Sequence, residues 1–491
     1  MITDIDSTFS RGQPWPPNDE AVKTYRDLCE RNLTLWDGDH WAVFKDRWIK
    51  LFREDETSYE MDLNWPRRIS NLFADMLLGE SPGFQVPDEQ KETLKTMLAD
   101  DTNQSFIVKA FEVAIDMSRF GIGIFKVRTS GKIPVIESQR PDLWIPVVSP
   151  FNIKEATAHI LAFTYSEGKT ALLRAEIHTK GHVSTRTWLL VDDGTKLGVE
   201  IDDPVHHVEI DTNYPDFLVF TAISGQTSTS FYGKDDYSDI ACIIAELEVR
   251  YAQNNRVLDK NADPTLIGPF SAIKTRANGE QYVETFGGKY IGVASKDDPV
   301  PAYITWDGSL GANFTQIEKL KQEFYSLSET SPAAFGILEA GLATSGSALK
   351  RLNAALLAKV NRMKRALVPA MKGALMAASA LAVQNKIPGA VLITSDLTIA
   401  LKDGIPDDMK ESVDIESVAV GAKLTSKAAA MKRLYEMDDE QVQELMDQID
   451  SETKAAAPPP VQNPDQTGVD IAMKAFGALQ NKNLQDDAPV Q

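Results

Sequence analysis

Apolar positions recur every third or fourth residue over several stretches of the chain and every second residue over one long stretch. This sorts the sequence into helical and strand-rich parts. After Asn64, Pro66 suits a first helical turn. Ile69, Leu72, Phe73, Met76 and Leu77 then repeat at helical spacing up to Gly79, a natural helix end. Residues 106–120 predict a further helix with Val108, Phe111, Ala114, Ile115 and Ser118 on one side. It stops at Phe120-Gly121-Ile122-Gly123, and Ile124, Phe125 and Val127 read as a strand. From about 132 to 226 the pattern is strand-like, as at 133–136, 161–165, 188–191 and 217–222, with turn residues between. A helix is expected over 235–259, with Ile240, Ile243, Ile244, Leu247, Tyr251 and Leu258 as its stripe, broken at Asp263-Pro264. Residues 264–308 read as short strands and turns. A second helix follows Asn313, with Gln316 at the capping-box position and a stripe of Phe314, Ile317, Leu320, Phe324 and Leu327. Two helices thus flank a compact β insert.

Residues 331–347 are small, glycine-rich and nearly uncharged. A long helix over 347–384 follows, with Leu349, Leu352, Leu356, Val360, Met363, Leu367 and Met371 at spacings of three or four. Pro369 inside it is expected to kink it. A strand is predicted over 390–401 and a small helical module over 407–452. From Ala455 the run AAAPPPVQNPDQTG reads as a linker. Residues 1–17, with Pro14, Pro16 and Pro17, read as a flexible start. The sum is an α+β body rather than a βαβ alternation.

At 491 residues, with 43% hydrophobic and 25% charged residues, the chain is long enough for several domains and globular in make-up. No uninterrupted apolar run approaches the roughly 18 residues of a membrane span, and no basic-then-apolar leader opens the chain. Cys29 and Cys242 are too far apart in sequence to suggest a disulfide framework or a metal clip, and a reducing, cytosolic site of synthesis is the default. The net charge of −20 excludes a general nucleic-acid binder but not a surface past which DNA slides.

Catalytic motifs are absent from the pattern. Ser166-Glu167-Gly168-Lys169-Thr170 ends like a phosphate loop, but Phe163 stands where its first glycine belongs. Gly121 and Gly123 lack the third glycine of a dinucleotide loop. His206 and His207 are adjacent, so on a strand they point to opposite faces. Asp235, Asp236 and Asp239 fit a helix N-terminus better than a metal cluster. Neither catalytic residues, metal nor cofactor is expected. A soluble metal-dependent enzyme built around His206 and His207 is the alternative.

Charge is more informative. Between Glu339 and Asp396 there is no acid but eight bases: Lys350, Arg351, Lys359, Arg362, Lys364, Arg365, Lys372 and Lys386. Lys350, Arg351, Arg362, Arg365 and Lys372 share one side of the long helix, opposite its apolar stripe. Such a face is solvated, paired with acids, or turned toward a polyanion. From Asp396 to Glu452, fifteen acids outnumber six bases.

This order of parts resembles the portal, or head-to-tail connector, proteins of tailed bacteriophages. The similar segments are Leu63-Asn64-Trp65-Pro66-Arg67-Arg68-Ile69 leading to Leu78-Gly79-Glu80-Ser81-Pro82; Phe120-Gly121-Ile122-Gly123-Ile124-Phe125-Lys126-Val127; Phe231-Tyr232-Gly233-Lys234-Asp235-Asp236-Tyr237-Ser238-Asp239-Ile240, with extra residues between Gly233 and Ser238; Asn261-Ala262-Asp263-Pro264; Thr344-Ser345-Gly346-Ser347-Ala348-Leu349-Lys350; and residues 405–452. The resemblance implies a ring of about 12 subunits at one capsid vertex. It implies a wing over 18–234 and 386–405, stem helices at 235–262 and 313–330, and a clip at 263–312. It further implies a tunnel loop at 331–346, a spine helix at 347–385, a crown at 406–452 and a flexible tail at 453–491. Phe335, Leu338, Glu339, Leu342, Thr344 and Ser345 are the tunnel-loop candidates, and Lys350, Arg351, Arg362 and Arg365 of the basic helix face are the candidates for facing DNA in the channel. The implied partners are copies of the chain, double-stranded DNA without sequence specificity, terminase, a head-to-tail adaptor, and major capsid and scaffolding proteins. No membrane is implied. The implied location is the virion, with the host cytoplasm during assembly.

Overall fold

The computed structural model describes residues 1–51, 61–99, 105–262, 265–267, 273–283, 302–304, 310–337, 346–404, 409–435, 437, 439–456 and 474. The chain is α+β and divides into two compact units, Met1–Pro406 and Asp407–Gln491.

In the first unit, the largest core joins the helices Trp65–Leu78, Lys91–Ala99, Phe106–Phe120 and Ala354–Gln384 to a three-stranded antiparallel sheet. In that sheet Ile122–Ser130 lies between Val219–Ile223 and Ile133–Gln139. The apolar stripes explain the packing: Ile69, Phe73 and Leu77 of one helix and Val113, Ala114 and Met117 of another are all buried. Asn64 caps the first of these helices by accepting from the Arg67 N–H at 3.1 Å.

The second core belongs to a six-stranded antiparallel sheet. Trp144–Ser149, Asn152–Glu167, Thr170–Thr179, His182–Val191 and Lys196–Glu200 follow in order, with Val208–Asp211 also paired to His182–Val191. Ala158, Ile160 and Ala162 alternate with Leu173, Ala175 and Ile177 on the covered face, as a period of two requires. The N-terminal residues supply the cover, so the flexible start expected for 1–17 is corrected here. Ile2, Phe9 and Trp15 are buried, and Phe9 lies 5.2 Å from the Trp188 ring. The backbone groups of Gly12, Gln13 and Trp15 bond to the turn at Thr195–Leu197 (Gly12 N to Leu197 O 2.7 Å, Trp15 N to Thr195 O 2.8 Å). The prolines stiffen the segment rather than loosen it.

The helices Ala241–Ala262 and Leu310–Leu327 pack together, and Asn313 Nδ2 donates to Asn254 Oδ1 across them. Between them, among the described residues, lie the short ladders Thr265–Ile267 with Ala302–Ile304 and Ile273–Thr275 with Gln281–Val283. The first helix starts at Ala241 rather than 235. Cys29 is buried, and burial pushes its thiol up to about 12, whereas Cys242 in the first turn of Ala241–Ala262 is exposed.

Two further expectations shift. Only Thr398–Ala400 of the predicted strand 390–401 is a strand, paired with Gly83–Gln85. Upstream, side chains take the backbone donors that a ladder would use: Val391 N–H donates to Thr93 Oγ1 at 2.8 Å, Ile393 N–H to Ser379 Oγ at 3.0 Å and Thr394 N–H to Gln90 Oε1 at 3.2 Å. The helix Ala354–Gln384 contains an 18-residue window with a mean hydropathy of 1.6, apolar enough for a membrane span, yet 61% of that window is buried in the protein.

Among its described residues, the second unit has the helices Met409–Gly421, Lys427–Tyr435 and Asp439–Ala456. Ala430 and Val442 are buried between them, and Arg433 grips Glu416 with two bonds of 2.7 Å.

Candidate DNA-channel surface

Two of the glycine motifs cross in space. A Cβ on Gly233 would lie 2.1 Å from the Gly121 carbonyl oxygen, and one on Gly121 would lie 2.7 Å from the Gly233 carbonyl carbon. Gly121 also has φ +75°, which favours glycine. Ser224 N–H donates to Gly121 O, Lys234 N–H to Ser224 O and Asp236 N–H to Ser118 O, each at 2.8 Å. The crossing therefore fixes the segment 233–240 on the end of Phe106–Phe120. It sets the start of Ala241–Ala262.

It also settles the three acids that follow. Asp235 accepts from the N–H groups of Tyr237 (2.8 Å) and Ser238 (2.7 Å), and Asp239 pairs with Lys234 at 2.7 Å. Asp236 is largely covered and meets Lys359 at 2.8 Å; desolvation pushes its carboxyl up against the pull of that lysine. The acids hold local structure rather than converge on an ion.

The helix predicted over 347–384 is two helices, Gly346–Leu352 and Ala354–Gln384, parted at Asn353. Asn353 is buried; its Nδ2 donates to Leu349 O at 3.0 Å, and its Oδ1 accepts from Ser331 Oγ at 2.6 Å. Pro369 lies exposed inside the second helix without ending it.

Of the eight bases, Lys386 lies exposed beyond the end of Ala354–Gln384, and the other seven divide by surroundings. Lys359 donates to Ser328 O at 3.3 Å and lies over the Phe73 ring. Lys364 donates to Leu401 O at 3.0 Å and Lys402 O at 2.6 Å; desolvation holds its ammonium below its ordinary value. Lys372 donates to Ser395 O at 2.5 Å. Lys350 pairs with Asp403 at 3.3 Å. Arg362 donates from Nη2 to both oxygens of Glu329, at 2.6 and 2.5 Å. Glu329 has φ +56° at the end of Leu310–Leu327, where glycine is the easier residue, so this grip is kept at a conformational cost. Arg351 and Arg365 are exposed and form no ion pair among the described residues. Arg365 shares the outer side of Ala354–Gln384 with Ala354, Ala355, Ala358 and Asn361, all exposed, while Arg351 lies on Gly346–Leu352.

Of the loop candidates, Phe335 is described and anchored. Its ring lies 5.7 Å from Trp65 and 5.9 Å from Tyr325, under the Arg68 guanidinium, and its carbonyl accepts from Arg68 Nη2 at 3.0 Å. Leu338, Glu339, Leu342, Thr344 and Ser345 lie outside the described residues, as do 263–264, 284–301, 405–408 and most of 453–491.

His206 and His207 do not share a ligand point. His206 Nδ1 faces Asp203 at 2.8 Å, and His207 Nε2 faces Glu209 at 3.0 Å. The stripes on the paired helices are only partly covered: Ile317 and Phe324 are buried, while Leu258, Phe314 and Leu327 are about half exposed.

Residues 271–458 match the family model described as "Phage portal protein, SPP1 Gp6-like". This match shows the portal resemblance read from the residues. It takes in the second helix of the pair, the basic helix and the C-terminal helices. No curated protein matches the chain. Among solved structures, a chain of "Neck of native GTA particle computed with C12 symmetry" is 12% identical, with 75% of this chain and 89% of that chain covered and a TM-score of 0.41. A chain of "Virion of native gene transfer agent (GTA) particle" is 13% identical, with 87% and 96% covered and a TM-score of 0.41.

Proposed function

We propose that the chain is the subunit of a portal ring at one capsid vertex, the passage for double-stranded DNA in packaging and ejection. The family match over residues 271–458 carries this reading. About 12 copies would close the ring, with the regions wing, stem, clip, tunnel loop, spine and crown running as the resemblance implies. Terminase and then a head-to-tail adaptor would dock at the clip, and capsid and scaffolding proteins would surround the wing. The chain itself would do no chemistry; the terminase would supply the energy.

The charges support a conduit. A net charge of −20 repels phosphate and lets a duplex slide. Arg351 and Arg365, exposed and unpaired among the described residues, are the bases best placed to hold DNA by counterion release without reading sequence. Lys350 and Arg362 already have carboxylates and would contribute less. Half-exposed Leu258, Phe314 and Leu327 are apolar surface that a neighbouring copy would cover.

Negative-stain imaging of the purified protein, with mass photometry alongside, tests the reading. Closed rings with a through-channel are expected; a monomer under every assembly condition sinks it.

A further inference from the structure

Away from the basic helix, three groups distant in sequence converge beside Ala241–Ala262. His40 opens the helix His40–Leu51, and Glu248 lies on Ala241–Ala262; both side chains are fully buried. Asp62, exposed, comes from the segment before Trp65–Leu78. One ligating atom from each lies within 4.8 Å of the other two.

The hydrogen bonds around them are unbalanced. His40 Nε2 donates to Leu35 O at 3.1 Å, which turns Nδ1 toward the Glu248 carboxylate. Glu248 Oε1 also accepts from Leu63 N–H at 2.9 Å, and Glu248 Oε2 is buried with no hydrogen-bond partner among the described residues. A buried carboxylate with an oxygen to spare, beside a second carboxylate, is costly unless a cation answers it. Burial pushes both carboxyls up. Desolvation alone would lower the His40 ring, but the Glu248 carboxylate outweighs it and holds the ring above its ordinary value.

We propose that His40, Asp62 and Glu248 form a divalent-metal site of the Zn²⁺ or Mn²⁺ class, which ties the helix His40–Leu51 and the segment 61–64 to the helix Ala241–Ala262. One imidazole nitrogen and two carboxylates are an ordinary donor set for these ions, at about 2.0–2.2 Å per ligand for zinc. A backbone carbonyl on the far nitrogen, as Leu35 O is on Nε2, is the outer contact that orients a ligating histidine. The exposed Asp62 side chain adjusts to close the site, and water completes the coordination. The charges balance: the ion displaces the proton held between His40 and Glu248, which passes to buffer, and two positive charges then meet two carboxylates. This site does not depend on the portal reading.

The test uses the full chain, stripped with chelator and dialysed. Calorimetric titration with ZnCl₂ and with MnCl₂ in two buffers of different ionisation enthalpy is expected to give one ion per chain, with about one proton released. Co²⁺ should give a visible spectrum of low coordination number. Asp62→Asn, at an exposed position, should fold and weaken binding by at least about tenfold, since even an outer contact to a ligand is worth that much. Glu248→Gln should abolish binding if it folds. No binding of Zn²⁺, Mn²⁺ or Co²⁺ overturns the proposal. So does unchanged affinity in Asp62→Asn, or binding lost only in His182→Ala and His207→Ala, whose rings both meet Glu209, which would place the ion there. Ring assembly is read separately by mass photometry, so failure of the metal site and failure of the portal reading are distinguishable.

Discussion

Within the helix Ala354–Gln384, the residues before Lys364 and those after it meet different surroundings. Before it, Leu356, Val360 and Met363 form a narrow buried stripe, while Ala354, Ala355, Ala358, Asn361 and Arg362 are exposed. After it, Leu367, Ala370, Met371, Ala374, Leu375, Ala377, Ala378, Leu381 and Ala382 are all buried. The first half is a surface helix, and the second passes through the core against the three-stranded sheet. Small residues make the second packing possible: a Cβ on Gly373 would lie 2.5 Å from a Phe220 ring carbon. One element can thus carry a surface at one end while its other end is fixed by packing on both sides.

The largest effect expected from breaking this contrast is on the buried half. Gly373→Leu drives a side chain into Phe220 and should destabilise the first unit by about 2–3 kcal/mol, seen as a lower urea midpoint with an unchanged slope. On the exposed surface, the paired change Arg351→Glu, in Gly346–Leu352, and Arg365→Glu, just past Lys364, should leave stability within about 0.5 kcal/mol. It should weaken DNA binding by the assembled ring uniformly across sequences and reduce the salt slope by about 1 or more. An equal loss of assembly and DNA binding would instead make these arginines contacts between copies.

The smallest effect concerns the residue at the boundary. Desolvation lowers the Lys364 ammonium in the folded chain, so between its folded value and the ordinary 10.5 the unfolded chain binds more protons. Stability contributed there rises with pH through that window and falls as pH drops through the folded value. Lys364→Met should flatten that part of the pH dependence, measured by urea unfolding at a series of alkaline pH values. A slope that persists assigns it to another group.

Local period made much of the helical scaffold legible. Of the stripe read at spacings of three and four, Leu356, Val360, Met363, Leu367 and Met371 are buried, whereas Leu349 is half-buried and Leu352 exposed, ahead of the break at Asn353. The width of the buried face was not legible, because alanines and Gly373 carry no periodic signal and are enclosed by other elements. The break at Asn353 depends on Ser331, twenty-two positions away in the chain. The apolar run at 390–397 has strand composition, but Thr93, Gln90 and Ser379 take its donors. The sign of the basic face could be read from composition; which bases are occupied could not, since Asp236, Glu329 and Asp403 arrive from separate segments. The glycine motifs were legible as a resemblance, and their physical reason appears only where Gly121 and Gly233 cross. The convergence of His40, Asp62 and Glu248 had no sequence signal, because no ligand spacing links them.

The contrast between the two cysteines has a practical consequence. Cys29 is enclosed with its thiolate strongly disfavoured, while Cys242 stands open at the head of its helix. A maleimide dye should therefore attach once per polypeptide without any engineered residue. Stepwise photobleaching of single particles would then count the copies in each assembly directly.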